Sequence, residues 1–570
     1  MNVIKTRSPA TWCRTQAWVS LAGVLLPVVA TAQTSSAGSL MKEMTPPAVR
    51  AAPSEASPVV LPRAVAAPLS GGPTLRVTDF RLVGIDASRA AELLPLLSKY
   101  VGEGKHIADL EDAAKDIEVA LQRRGLFLAQ VYVPEQALQD GVVALRVLEG
   151  RIGEVKLEVD PAVRVDAALM DRFIDILRGH PVAERERVER ALFALGDLRG
   201  VAVTSALTPG QRVGEADLTV KVAPGARTAF SAELDNGGSI FTGRYRASGS
   251  AEWLSPTGHG DSLSLKALAS TNGGVTFVRA AWLTPLGVRG TKLGLAASLL
   301  RYQLGSTVFD SLDATGTGEA LTVQLLHPAI RSRNNNLFFQ TSFDQRSFED
   351  KVGTIGLTSR KTASSYFTFG VVGDFRDTLG GGGITNYSAN VIGGQLKLKT
   401  AADIATDAAN YRTGGAYAKL ALTASRLQSL PNKDYVYFSA LAQLASKDLD
   451  SSEKQSLGGA PGVRAYPGPD TPSDSALIAG WEYRKPWGIA AVPGDWVFSV
   501  FGDYGVGRQH ETPLATDTGN IRHLMSHGVG LTYGNTRGLN VKSWIAVRDA
   551  TQAQSDDSRF RAYLQLSQQF

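Results

Sequence analysis

Two histidines four residues apart, His523 and His527, come closest to a hydrolytic metal motif, but Leu524, Met525 and Ser526 lie between them and the needed glutamate is missing. Such a pair in a strand or loop reads as surface. The one cysteine, Cys13, precedes everything that resembles a folded domain. That excludes a disulfide, a thiolate metal site and a cysteine nucleophile from the body of the protein. No Gly-x-Ser-x-Gly elbow and no phosphate-binding Gly-x-x-x-x-Gly-Lys loop occurs. The expectation is therefore no catalytic residue, no metal and no cofactor. The formal charge is +5, but the first 32 residues hold Lys5, Arg7 and Arg14 without an acid, so the remainder is nearly balanced. With no basic stripe interleaved with aromatics, nucleic acid is not an expected partner. What is left is binding and conduction, with ion pairs as the available chemistry.

The elements that would hold such pairs fall into distinct textures. Residues 1–32 read as a secretory signal: a basic start, an apolar run from Ala17 to Val29, and Ala30-Thr31-Ala32 before the cut. Residues 33–74 are a Pro/Ala-rich linker with room for one short helix near Ser39 to Met44. Residues 75–151 alternate or cycle as β-α-α-β-β, with helices near Ser88 to Tyr100 and Ile107 to Arg124, and a strand carrying Phe127, Ala129, Val131 and Val133. Residues 152–224 repeat that order, an internal duplication. From 228 to 570 helical periodicity disappears, and about sixteen short alternating runs follow, bounded by Gly, Asn, Asp and Ser. Tryptophans such as Trp253, Trp282, Trp481 and Trp496 stand at run ends, as interfacial girdles do. In the last run Phe560, Ala562, Leu564 and Leu566 share one face, Arg561, Tyr563 and Gln565 the other, and the chain stops at Phe570. No long apolar helix follows the signal. A chain that crosses a membrane without one must do so as a closed barrel. The predicted fold is two α+β units followed by an all-β, sixteen-stranded antiparallel transmembrane barrel.

Gly125-Leu126-Phe127 through Gln136, with Val147-Leu148-Glu149-Gly150-Arg151, resembles the first POTRA domain of two-partner secretion transporters, the hemolysin secretion/activation proteins of ShlB/FhaC/HecB type. Arg190-Ala191-Leu192 through Val201 resembles the second. Gly462-Val463-Arg464-Ala465-Tyr466, inside the long connection 447–474, is similar to that family's Val-Arg-Gly-Tyr, with Ala465 in place of Gly. Phe501-Gly502-Asp503-Tyr504-Gly505 fits its Phe-x-Asp-x-Gly. The resemblance implies an outer-membrane location in a Gram-negative bacterium, with the POTRA domains in the periplasm. It implies a loop folded into the lumen and held by Arg464 on Asp503, supported by Val463, Tyr466, Phe501 and Gly505. Alternation agrees: Trp496, Phe498 and Val500 share the lipid face, so Phe501, Asp503 and Gly505 look inward. Phe570 resembles the family's C-terminal signature. The implied partners are an exoprotein client with an N-terminal secretion domain, outer-membrane lipid, and the barrel-assembly machinery during biogenesis, for a monomeric transporter. The family also places an N-terminal helix in the pore. From residues alone, the α/β units could equally be client-binding edges or spacers. An outer-membrane assembly factor or a passive porin remains an alternative to secretion.

Overall fold

The computed structural model describes residues 36–45, 74–137, 140–178, 182–305, 313–353, 357–468, 470–489, 492–549, 551, 553 and 558–570. The signal expected over 1–32, and most of the linker, lie outside these residues. The first helix, α1 (Ala37–Met44), is separated from the rest by the linker.

The first α/β unit runs β1 (Leu75–Val77), β2 (Asp79–Val83), α2 (Ala87–Leu93), a 3-10 turn (Leu94–Tyr100), β3 (Gly102–Lys105), α3 (Ile107–Arg123), β4 (Gln130–Tyr132) and β5 (Val142–Leu148). Its sheet has the order β2-β5-β4, with β2 parallel to β5. The second unit runs β6 (Arg151–Val159), α4 (Ala167–Arg178), α5 (Arg185–Gly196), β7 (Val201–Pro209) and β8 (Glu215–Pro224), ordered β6-β8-β7 with β6 parallel to β8. Both sheets thus place the last strand in the centre and leave the first and the hairpin strand at the edges.

Local chemistry explains where these elements differ from expectation. A single strand through Leu75 and Leu82 breaks at Thr78, whose N–H donates to Gly141 O at 2.8 Å and whose hydroxyl donates to Asp140 O at 2.6 Å. The helix expected to reach Tyr100 tightens into the 3-10 turn at Pro95, which has no N–H to donate and crowds the preceding turn. Along α3 the buried face is Leu110, Ile117 and Leu121, while Ile107 at its first position is exposed. The strand expected from Phe127 shrinks to β4, because Phe127 turns into the core of the second unit beside Phe173 and Leu195.

The barrel opens with β9 (Thr228–Asp235) and closes with β26 (Phe560–Gln569), which pairs back onto it from Gln565–Asp235 to Gln569–Ser231. Sixteen strands form the closed ring. Closure removes every free edge, as lipid requires. Alternation is carried through: on β26, Phe560 and Leu564 face out while Tyr563 is buried inward. The strands are uneven, from 8 residues in β9 to 21 in β16 (Leu357–Asp377). Membrane strands need only about 9–11 residues, so one side of the wall stands well above the bilayer.

The second α/β unit is fixed to one rim. Arg331, at the end of β14 (Ala314–Arg331), donates to Asp197 at 2.6 Å and lies against the rings of Phe193 and Phe338. Leu198 packs on Gly260, where an added Cβ would fall 2.8 Å from its Cβ. At a φ of +72°, that turn also favours glycine on backbone grounds.

Candidate functional site

The long connection between β19 (Tyr435–Ala445) and β22 (Ser475–Trp487) does not extend away from the barrel; it folds into the lumen. Its tip turns on three backbone bonds: Val463 N–H to Leu457 O (2.8 Å), Gly459 N–H to Tyr466 O (3.0 Å) and Tyr466 N–H to Val463 O (3.1 Å). A two-residue ladder joins β20 (Gln455–Ser456) to β21 (Pro472–Ser473) and closes the loop on itself. Val463, Ala465 and Tyr466 are buried against Leu457, Ile478, Phe501 and Leu524. The Tyr466 hydroxyl donates to Thr551 O at 2.9 Å, so the ring has both an apolar seat and a polar partner.

Arg464 reaches the wall at β23 (Asp495–Arg508). Its Nη2 donates to Asp503 Oδ1 at 2.8 Å and its Nε to Oδ2 at 3.0 Å. Its backbone N–H also donates to Oδ2, at 3.1 Å. The guanidinium carbon sits 3.3 Å from the centre of the Phe501 ring. This is a two-point grip, stacked on an aromatic face, which lysine could not reproduce. Two further residues escaped the sequence reading. Ser526, on β24 (Ile521–Gly534), donates to Asp503 Oδ2 at 2.9 Å, and Glu482 on β22 accepts from Arg464 Nη1 at 3.4 Å. Glu482 also pairs with Arg484 at 3.2 Å, so charges alternate along the wall. No motif marks them; only their inward parity beside Asp503 on neighbouring strands could have.

Gly505 makes room for Val463, whose Cγ2 would lie 2.8 Å from an added Cβ. Ala465 does not occupy positive φ, so alanine there carries no left-handed strain.

The same loop grips a second occupant of the lumen. α1 is capped by Ser36, whose hydroxyl accepts from Ser39 N–H. A helix of 8 residues has little stability alone, so packing must supply it. Leu40, Met41 and Met44 are buried against Phe277, Leu300, Tyr302 and Phe348 on inward wall positions. Gly38 lies directly on Ser452 of the loop, too close for any side chain. Lys42 Nζ donates to the carbonyls of Glu453 (3.1 Å) and Lys454 (2.7 Å), and Glu43 pairs with Arg246 at 2.9 Å. Burial, with Lys419 nearby, pushes the Lys42 ammonium well below its ordinary range. Burial pushes Glu453 up, but Lys419 at 2.6 Å and Arg346 outweigh it and keep the carboxylate ionised.

At the loop's base, Asp448, Asp474 and His510 bring ligand atoms together in a group that could surround a cation. Their oxygens are already engaged. Asp474 accepts from Leu449 N–H (2.9 Å), Glu511 N–H (3.1 Å) and Lys454 (3.1 Å); Asp448 accepts from Thr512 N–H (3.0 Å) and lies 3.2 Å from His510 Nδ1. The group reads as a clasp between two loops. His523 bonds the Tyr504 hydroxyl (3.0 Å) and His527 lies 3.4 Å from Asp549, so among the described residues the two rings have different partners.

The family description "Haemolysin secretion/activation protein ShlB/FhaC/HecB" matches residues 214–533, more than half of the chain, and "POTRA domain, ShlB-type" matches residues 75–150. The chain belongs to this secretion/activation family. A heme/hemopexin transporter protein, HuxB of Haemophilus influenzae, is 27% identical over 462 residues, covering 80% of each chain. The outer membrane transporter CdiB of Escherichia coli is 21% identical over 407 residues, covering 69% of this chain and 66% of that one. Among solved structures, CdiB from Escherichia coli superposes with a TM-score of 0.69 at 18% identity, covering 90% of this chain and 94% of that chain. CdiB from Acinetobacter baumannii gives 0.62 at 15% identity, covering 88% and 91%. The protein is thus an outer-membrane transporter of two-partner secretion, with its POTRA region periplasmic. The rim bearing Arg331 and Gly260 faces the periplasm, and the Arg464 loop enters the lumen from outside.

Proposed function

We propose that this transporter keeps its lumen closed with two removable parts, α1 and the Arg464 loop, and passes an unfolded exoprotein along the space they vacate. The observation that carries this reading is how the lumen is filled. Neither part adds a strand to the wall; both are held by side-chain contacts and a few hydrogen bonds, which a client can replace. Arg464 and Asp503 fix the loop, while Lys42, Glu43 and Gly38 fix the helix. The POTRA sheets supply the reception step. Among the described residues β2, β4, β6 and β7 are the edges of these sheets, and an extended client can pair with such an edge. The occupied lumen disfavours a passive porin. The assembly-factor alternative gains no specific support.

The client we infer is an exoprotein with an N-terminal secretion domain; adhesin, cytolysin and haem-acquisition protein are all compatible. Deletion of the transporter should remove one such protein from the medium, and complementation should restore it. Unchanged export in the deletion strain would end the proposal.

A further inference from the structure

The outward face of the barrel carries a basic patch at one place on its outer rim. Inward Asp344 and Tyr366 fix the parity of β15 (Asn335–Val352) and β16, so the odd residues of both strands face out. In one outward row Phe343, Val323 and Phe367 lie side by side, and the exposed rings of Phe367 and Phe369 look into the lipid. One step up, Gln345, Ser365 and Gln395 are paired neighbours, and the surface becomes polar. One step higher Ala363 pairs with Lys397, and above it Glu349 pairs with Lys361. Lys399 N–H donates to Lys361 O at 2.9 Å, which sets these two lysines beside each other. Lys351 and Arg301 flank them on β15 and β13 (Thr291–Gln303).

These cations exceed their local acids. Glu349 is shared by Lys351 (3.0 Å) and Lys361 (2.8 Å), Glu319 is a second outward carboxylate, and Asp403 accepts from the Lys361 backbone N–H at 3.0 Å, which leaves three acids against five cations. Lys397, Lys399 and Arg301 have no salt-bridge partner among the described residues. At about 3.4 Å per residue along tilted strands, Lys397 and Lys361 stand four and six residues above the Phe343–Phe367 row, roughly 10 and 15 Å in height. From there the long lysine stems can bend back along the wall and meet the headgroup phosphates from above. On β23 and β24 the comparable outward positions hold Tyr504, His523 and Met525, with Arg508 already paired to Glu511 at 2.8 Å.

We propose that Lys361, Lys397 and Lys399 form a binding site for the phosphate groups of an anionic glycolipid in the outer leaflet. Charge and height both select this occupant. A phosphate-bearing headgroup presents dense negative charge where the lysines are, and its acyl chains lie against Phe367, Phe369 and Val391 below. The site would anchor the tall side of the wall, where the strands outrun the bilayer, and would hold the barrel at a set depth and tilt.

The test uses the full chain, folded in neutral detergent and titrated with lipid A carrying both phosphates. The triple variant Lys361→Gln, Lys397→Gln, Lys399→Gln should bind on the order of a hundredfold more weakly, with about fivefold for each cation near an anionic surface. The matching triple Lys→Arg variant should bind as the wild type does, and rising salt should weaken both. Heat-modifiable migration on gels checks that each barrel is folded. Equal affinity of the Gln variant, or equal affinity of the wild type for lipid A stripped of phosphate, would overturn the proposal.

Discussion

Replacing Asp503 by alanine strips four hydrogen-bond donors of their acceptor at once: Arg464 Nε, Arg464 Nη2, the Arg464 backbone N–H and the Ser526 hydroxyl. Removing one partner of a buried ion pair costs about 3–5 kcal/mol, mainly because a charge is left without compensation. Here the Arg464 side chain keeps 15% of its exposure, and Glu482 remains 3.4 Å away. Those two features reduce the loss to about 2–3 kcal/mol. The barrel wall does not need the contact, so the cost falls on the docked loop. Its docked population should drop about 30- to 150-fold relative to the undocked one. Two assays read this: protease cutting within 447–474 in intact cells, and client recovered in the medium. Asp503→Ala and Arg464→Ala should each increase cutting and reduce secretion at normal barrel abundance. The double variant should be little worse than either single, because both delete the same interaction. Normal secretion and unchanged protection in both single variants would refute the reasoning.

Three other expectations follow from the same geometry. Gly505→Val forces atoms toward Val463 Cγ2, already 2.8 Å from a bare Cβ, and should loosen the loop tip by about 1–3 kcal/mol, seen as faster amide exchange in 457–466. Deleting residues 36–45 removes the helix from the lumen, and planar-bilayer recordings should show a several-fold larger conductance; unchanged conductance would mean that the helix does not obstruct the pore. Burial pushes the Asp474 carboxyl up to about 6. A raised value in the folded clasp means that its stabilising proton is fully in place below about 3.9 and is lost as pH rises through 6. Relative to Asp474→Asn, the wild-type clasp should therefore gain protection against amide exchange as pH falls from about 7.5 to 5, by about 1.4 kcal/mol. A gain in the opposite direction would contradict the burial argument.

The barrel was legible because alternation is imposed residue by residue. Lipid demands apolar side chains on every second position, and Phe560 to Phe570 displays that pattern without any tertiary knowledge. The inward direction of Asp503 followed from the same parity. Glu482 and Ser526 were not legible, since their proximity to Asp503 depends on register between strands: Gly480 opposite Asp503 on one side and Ser526 opposite it on the other. The helix near Ser39 was legible only as room for a short helix in the linker; its contacts with Ser451 and Glu453 span more than 400 positions, and no local pattern encodes them. Thr78 and Pro95 broke elements whose apolar spacing ran on, because a single turn bond or a missing N–H outweighs periodicity over a few residues. Gly505 could be placed at the site, but a missing side chain reveals only that space is needed, not that Val463 fills it.

The central claim is that the client travels inside the wall. Phe367 and Thr368 are consecutive on β16 and face opposite ways, Phe367 exposed to lipid and Thr368 on the inward side with Tyr366. A photo-crosslinking residue placed at each position in turn, in cells exporting a client stalled by a folded C-terminal fusion, compares the two faces of one strand. The account predicts a client adduct from position 368 and none from 367. Adducts from 367 alone, or equal adducts from both, would contradict it.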